Sequence, residues 1–90
     1  MPLSSPLQSL RSKYDLTETD LLQSFVNRAG EPISERTLSG LLAGRCQLAE
    51  SILGVNSENL ARTITLRNPR LKFEDIFLEC RAVLREYRWT

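Results

Sequence analysis

The sequence predicts an all-α fold, a compact bundle of five to six short helices in a single domain that spans residues 1–90. Helix start and stop signals recur along the chain, where a Ser or Thr precedes an apolar periodic segment and a Gly or Asn-Pro follows it. Apolar residues recur at spacings of three and four within these segments. Ninety residues can also enclose one hydrophobic core without a metal ion or a disulfide.

The first predicted helix runs from Pro6 to about Tyr14. Ser5 has the position of a cap, and proline suits the first helical position because no N–H is needed there. Leu7 and Leu10 lie one turn apart and should face the core. This helix therefore begins at a locally encoded position.

The pattern of residues 17–44 predicts two capped helices joined by a turn, which is a helix-turn-helix. Thr17 should cap a helix over about 18–29, and Ser34 should cap a second helix over about 35–43. Glycines at the end of each segment can take positive φ and stop the helix. The connecting turn, Asn27 to Pro32, is longer than the three or four residues of a minimal helix-turn-helix.

The middle of the chain predicts a fourth short helix from Arg45 to Leu53 that ends at Gly54. Asn56 or Ser57 should cap a fifth helix, which ends before Asn68-Pro69. Because residues 63–65 are β-branched, this helix should be weak or end early. A short extended segment over residues 63–67 is the alternative.

The longest periodic segment predicts an amphipathic helix over about 72–88. Its apolar stripe is longer than one small core needs. Tyr87 and Trp89 at its far end could pack on a second subunit and form a homodimer, or fold back on their own domain. Both arrangements remain open from the sequence.

Composition argues against an enzyme and against a cofactor or metal site. The chain has no histidine, and it shows no recognisable pair of nucleophile and base. Cys46 and Cys80 are far apart and are expected to be reduced core residues. No apolar run reaches membrane-spanning length, and the start lacks a secretory signal, so we expect a cytoplasmic protein.

Charge is unevenly distributed although the formal net charge is only +1. Residues 60–72 carry four cationic side chains and no acid, whereas residues 15–31 carry mostly acids. A basic side and an acidic side are therefore expected. The cationic side chains expected to neutralise DNA phosphates are Arg45, Arg62, Arg67, Arg70 and Lys72.

The helix predicted over residues 35–43 offers a surface for reading base edges. Arg36 could bond a guanine edge with two N–H groups, Ser39 suits either base type or a phosphate, and Gly40 allows close backbone approach. A short solvent-facing helix with one arginine is also common in proteins that bind no DNA. Gly40 would then only relieve crowding against another helix.

The order of motifs resembles the phage-repressor type of helix-turn-helix domain, the lambda repressor and Cro family. The matching residues are Leu16-Thr17, the run from Ile33 through Ser39 to Gly44, and the segment Phe73-Glu74-Asp75-Ile76-Phe77. The resemblance implies a five-helix fold and phosphate contacts near Thr17 and Arg45. It also implies base contacts by Ser34, Glu35, Arg36, Ser39 and Gly40.

Two functions from different classes follow. The first is a small DNA-binding transcription regulator that binds double-stranded DNA, with the helix 35–43 in the major groove. The second is a helical protein-interaction adaptor that binds an acidic partner and no nucleic acid. Glu18 and Asp20 favour the adaptor, because they place negative charge where a phosphate should dock.

Overall fold

The computed structural model describes residues 5–44 and 50–87, and the predicted all-α bundle is confirmed there. These residues form five α-helices, no β-strand and one turn of 3₁₀ helix at Glu50–Ile52. The helices are α1 Pro6–Tyr14, α2 Glu18–Ser24, α3 Glu35–Leu42, α4 Leu53–Arg67 and α5 Phe73–Leu84. The helices enclose one hydrophobic core.

Two long helices, α4 and α5, form a hairpin that carries the remaining elements. The helix α1 packs on α5 and α3, and α2 packs on α4 and α3. Each helix contributes fully or almost fully buried apolar side chains to the same cluster. The largest of them are Leu7, Leu21, Phe25, Leu38, Leu41, Leu60, Ile64 and Leu84.

The hydroxyl caps predicted for the first three helices are present. The side-chain oxygen of Ser5 accepts from Gln8 N at 3.2 Å, that of Thr17 from Asp20 N, and that of Ser34 from Thr37 N, the last two at 3.1 Å. Each bond satisfies a backbone donor that has no partner inside its own helix. The starts of α1, α2 and α3 are therefore fixed by local chemistry.

The helix α2 is shorter than predicted, because it ends at Ser24 and not at residue 29. Phe25 is extended, and Val26 N donates to Asn56 Oδ1 at 2.9 Å while Val26 O accepts from Asn56 Nδ2 at 3.3 Å. The chain then reverses, with an isolated bridge between Val26 and Pro32 and positive φ at Gly30. A side chain from α4 thus ends α2 early.

The helix α4 begins at Leu53 and continues through Gly54, which contradicts the predicted stop at that glycine. Residues 45–49, which include most of the predicted fourth helix, lie outside the described residues. Gly54 lies in the first turn of α4. Asn56 and Ser57, which were expected as caps, are fully buried inside the helix.

The helix does not end early at residues 63–65, because α4 continues through them to Arg67. The Thr63 hydroxyl donates to Asn59 O at 3.1 Å, and the Thr65 hydroxyl donates to Ala61 O at 2.9 Å. Thr63 also shares a 2.7 Å hydrogen bond with the hydroxyl of Ser24. These contacts offset the low helix propensity of β-branched residues, and the extended alternative is excluded.

The helix α5 ends at Leu84, before the predicted end near residue 88, and Tyr87 folds back on its own domain. The Tyr87 hydroxyl donates to Leu41 O at 2.7 Å and accepts from Leu7 N at 3.2 Å. It joins the start of α1 to the end of α3, so Tyr87 is internal and does not project toward a second subunit. Trp89 lies outside the described residues.

Cys80 is a buried thiol in the core, as expected. Burial raises the pKa of its thiol to about 12, because the thiolate would lose its hydration. The thiol is therefore protonated at neutral pH and unreactive. Cys46 lies outside the described residues.

Candidate nucleic-acid interface

The helix α3 has one buried face and one exposed face, as its sequence period predicts. Leu38 and Leu41 are fully buried, and Ile33 just before the helix is also buried. The opposite face points to solvent and carries the five residues predicted to contact bases. Of these, Ser34, Glu35, Arg36 and Ser39 are exposed, and Gly40 is partly exposed.

The N-terminus of α3 is closed by its own hydroxyls. Ser34 Oγ accepts from Thr37 N and lies 3.0 Å from Thr37 Oγ1. Within the described part of the chain, Arg36 makes no ion pair. A ligand could therefore bind the Arg36 guanidinium without breaking a salt bridge to any described residue.

The N-terminus of α2 is closed much more completely. The hydroxyl of Thr17 accepts from Asp20 N, and the carboxylate of Asp20 accepts from Thr17 N at 2.9 Å, which is a reciprocal capping box. Arg67 from the end of α4 also binds Asp20. These contacts occupy the backbone N–H of Thr17, whereas its hydroxyl oxygen only accepts here and keeps its O–H donor.

The Asp20 carboxylate is held in its charged form by these contacts. The bond from the Thr17 backbone N–H and the charge of Arg67 hold the pKa of Asp20 below its ordinary value of 3.8, against the opposing effect of burial. A carboxylate therefore occupies the helix end at which an anion would dock.

The basic strip predicted over residues 62–72 is divided by ion pairs. Arg62 pairs with Glu58 one turn earlier in α4. Arg67 pairs with Asp20 and also donates to Asp15 O. Arg70 and Lys72 are exposed at the turn between α4 and α5. Arg45, another predicted phosphate contact, lies outside the described residues.

A polar cluster between α1 and α5 was not predicted. Lys13 and the hydroxyl of Tyr14 both donate to the carboxylate of Glu79. Burial alone would raise the pKa of Glu79, but these two hydrogen bonds and the charge of Lys13 outweigh it and lower that pKa. The partners are 65 and 66 residues apart in the chain, so periodicity could not pair them.

Asn56 is the most consequential residue that the sequence prediction misassigned. Its side-chain amide bonds both backbone groups of Val26 and so fixes the connection between α2 and α3. Asn56 and Ser57 lie between Leu53 and Leu60, at the spacing of an inward helical face. That spacing was a signal of burial, and it outweighed the capping preference of Asn and Ser.

The described residues show neither a metal site nor a membrane-spanning helix. No group of His, Cys, Asp and Glu side chains in residues 5–44 and 50–87 could hold a metal ion. No helix in these two ranges has the length and apolar character needed to cross a bilayer. Two exposed polar surfaces remain as candidates, the outer face of α3 and the cationic side chains around the α4–α5 turn.

Comparison with known proteins adds no assignment. No family model, curated protein or solved structure matches this chain. The function is therefore inferred from the geometry of α2, α3 and α4.

Proposed function

We propose that this protein is a small DNA-binding transcription regulator that inserts α3 into the major groove. The observation that supports the proposal is the contrast between the two faces of α3. Its inner leucines are fixed in the core, whereas its outer face is exposed and carries Arg36, which forms no ion pair with the described residues. An anchored helix with an outward polar face suits the recognition helix of a helix-turn-helix.

The outer face has chemistry that suits base edges. Arg36 offers two parallel N–H groups to the O6 and N7 acceptors of guanine, and Ser39 can donate or accept. Glu35 can accept from the amino group of cytosine. Gly40 and Ala43 are small, which lets the helix approach the groove floor closely.

Phosphate contacts would come from the α4–α5 turn. Arg70 and Lys72 are exposed there. Arg62 and Arg67 could join them only by leaving Glu58 and Asp20, and exchange of such exposed ion pairs costs about 1 kcal/mol or less each. Thr17, whose backbone N–H is already bonded to Asp20, would contribute only through the O–H of its side chain.

The proposed regulator acts in the cytoplasm as a homodimer that presents two copies of α3 to two half-sites. The proposed dimer forms through the C-terminal helix. Because Tyr87 is internal, the interface would use the solvent-facing side of α5 and not its apolar stripe.

A protein-interaction adaptor is the second candidate. The observation that favours it is Leu66, which is 82% exposed at the end of α4, beside the basic residues of the α4–α5 turn. An apolar side chain with cationic neighbours suits an acidic protein partner. The carboxylate at the N-terminus of α2 also favours this alternative.

A binding titration tests the regulator proposal. A preferred duplex is first selected from a random library, and its affinity is measured by fluorescence anisotropy from about 50 to 200 mM salt. We expect binding that weakens steeply with salt, because neutralised phosphates release counterions. Absence of binding to any duplex at about 50 mM salt would refute the proposal.

Substitution of Arg36 locates the contact. We expect Arg36→Ala to weaken binding to the selected duplex by about 10- to 100-fold while the fold is unchanged, because one bidentate base contact is lost. Lys13→Ala, which removes an exposed cation of α1 outside both proposed interfaces, is the control and should leave affinity within about twofold. Equal losses in both variants would move the interface away from α3.

The adaptor alternative has its own readout. Reversal of charge in Arg67→Glu with Arg70→Glu should remove an acidic protein partner in a pull-down. A partner retained by this double variant would count against the adaptor.

A further inference from the structure

The solvent-facing side of α5 is sorted by charge around two apolar residues. Leu78, which is 61% exposed, and Ala82 lie one turn apart on this side. Glu74 lies one turn before Leu78, and Arg81 and Arg85 lie after it, all of them exposed. The two arginines also border a groove beside Glu50, Leu53 and Gly54. We call this set, Glu74, Leu78, Arg81, Ala82 and Arg85, the outer α5 face.

The later acids of α5 do not lie on this face. Glu79 is partly buried and binds Lys13 of α1. Glu86 lines the same groove between α1 and α5, together with Glu79 and Lys13. The helix dipole accounts for acids before bases along one helix, but it does not require that they share a side with an exposed leucine.

Helix geometry makes the outer α5 face complementary to itself. Glu74 and Arg81 are seven residues apart, which is close to two turns, so they lie on the same edge of the helix. If two copies of α5 pack antiparallel about a two-fold axis beside Leu78, Glu74 of one copy lies opposite Arg81 of the other. The heights of these two positions differ by about one residue rise, about 1.5 Å.

We propose that the outer α5 face is a homodimer interface, in which two copies of α5 pair antiparallel through Leu78 and Ala82. Glu74 of each copy pairs with Arg81 of the second copy, and Arg85 extends over the same carboxylate. Parallel packing would place like charges against each other, so the charge order selects the antiparallel arrangement. The contact is isologous, as a two-fold dimer requires.

The small area of the outer α5 face limits the expected affinity of the dimer. The 12 residues of α5 span about 18 Å, so pairing of these helices alone buries less than the roughly 1,200 Å² of a standard interface. The dimer should therefore be weak and dependent on protein concentration. The inference specifies the dimer named in the proposed function, and its test needs no DNA, so the two can fail separately.

Sedimentation velocity of the full chain tests the inference. Between about 10 μM and 1 mM, the wild type should shift from monomer to dimer. We expect Leu78→Glu to remain monomeric over this range, because it places two carboxylates at the centre of the pair. The matched control is Leu66→Glu, which changes an exposed leucine of α4 instead of α5. This variant should dimerise like the wild type.

Charge exchange tests the pairing itself. Glu74→Arg and Arg81→Glu should each weaken dimerisation about tenfold, because each replaces two attractive pairs with repulsive ones. An equimolar mixture of the two variants should dimerise again, since the introduced arginine of one variant then faces the introduced glutamate of the other. Glu18→Arg and Arg70→Glu, which are charge reversals elsewhere, should have no effect.

Three outcomes would overturn the inference. If the wild type stays monomeric up to about 1 mM, the outer α5 face is not a homodimer interface. A dimer that is insensitive to Leu78→Glu would use another surface. A mixture of the two charge variants that fails to associate, while both keep wild-type circular dichroism, would exclude the antiparallel pairing.

Discussion

The N-termini of α2 and α3 begin with the same local chemistry but have different surroundings. Each has a hydroxyl cap bonded to a backbone N–H three residues later and a glutamate at the first helical position. At α2, the carboxylate of Asp20 completes the cap and Arg67 covers it. At α3, Arg36 and its neighbours are left facing solvent. Thus α2 is built into the framework, whereas α3 offers a surface.

The link between these two helices is the most sensitive point of this arrangement. We expect Asn56→Ala to lower the free energy of unfolding by about 2–4 kcal/mol, because both backbone groups of Val26 lose a buried partner and a cavity is left. Urea denaturation followed by circular dichroism measures the loss. Asn59→Ala, one turn later and half-buried, is the control and should cost less than about 1 kcal/mol. Equal losses would show that Asn56 has no special role.

The two caps should differ in strength if α2 is the better closed end. Thr17→Ala should cost about 1–2 kcal/mol, because it breaks the reciprocal box with Asp20. Ser34→Ala should cost about 0.5–1 kcal/mol, because one bond is lost and solvent can replace it. Both values come from chemical denaturation at neutral pH. A larger loss at Ser34 would reverse the comparison.

The smallest expected effect concerns the charge of Asp20. Its pKa is lowered in the folded state, so its ionised form stabilises the protein above the ordinary value of 3.8, and this contribution is lost as the pH falls through the folded-state pKa. Asp20→Asn should therefore cost about 0.3–1 kcal/mol at pH 7, limited by solvent screening of the exposed Arg67. Below pH 3.8 the difference between variant and wild type should shrink. A constant difference down to pH 2 would contradict the ion pair with Arg67.

The parts of the fold that the sequence predicts well depend on local signals. The bounds of α1 match the prediction, and those of α3 differ by one residue, because a cap and a proline or glycine define them within a few residues. The predicted end of α2 and the predicted start of α4 were wrong. The early end of α2 depends on the contact between Asn56 and Val26, which are 30 residues apart, and helix propensity carries no information about such a contact.

The same distinction applies to the candidate interface. The helical period alone places Arg36 and Ser39 on the exposed side of α3, and the structure agrees. The state of the basic strip could not be predicted, since Arg67 meets Asp20 across 47 residues. The sequence predicts a basic surface and a separate acidic surface, but the fold brings Arg67 and Asp20 together.

Amide chemical-shift mapping tests the central claim most directly. The ¹H–¹⁵N spectrum of the full chain would be recorded while the selected duplex is added at low salt. We expect the largest shifts at residues 34–43 and smaller ones around Arg70 and Lys72. Shifts that avoid residues 34–43, or a spectrum unchanged by excess DNA, would contradict the assignment of α3 as the reading helix.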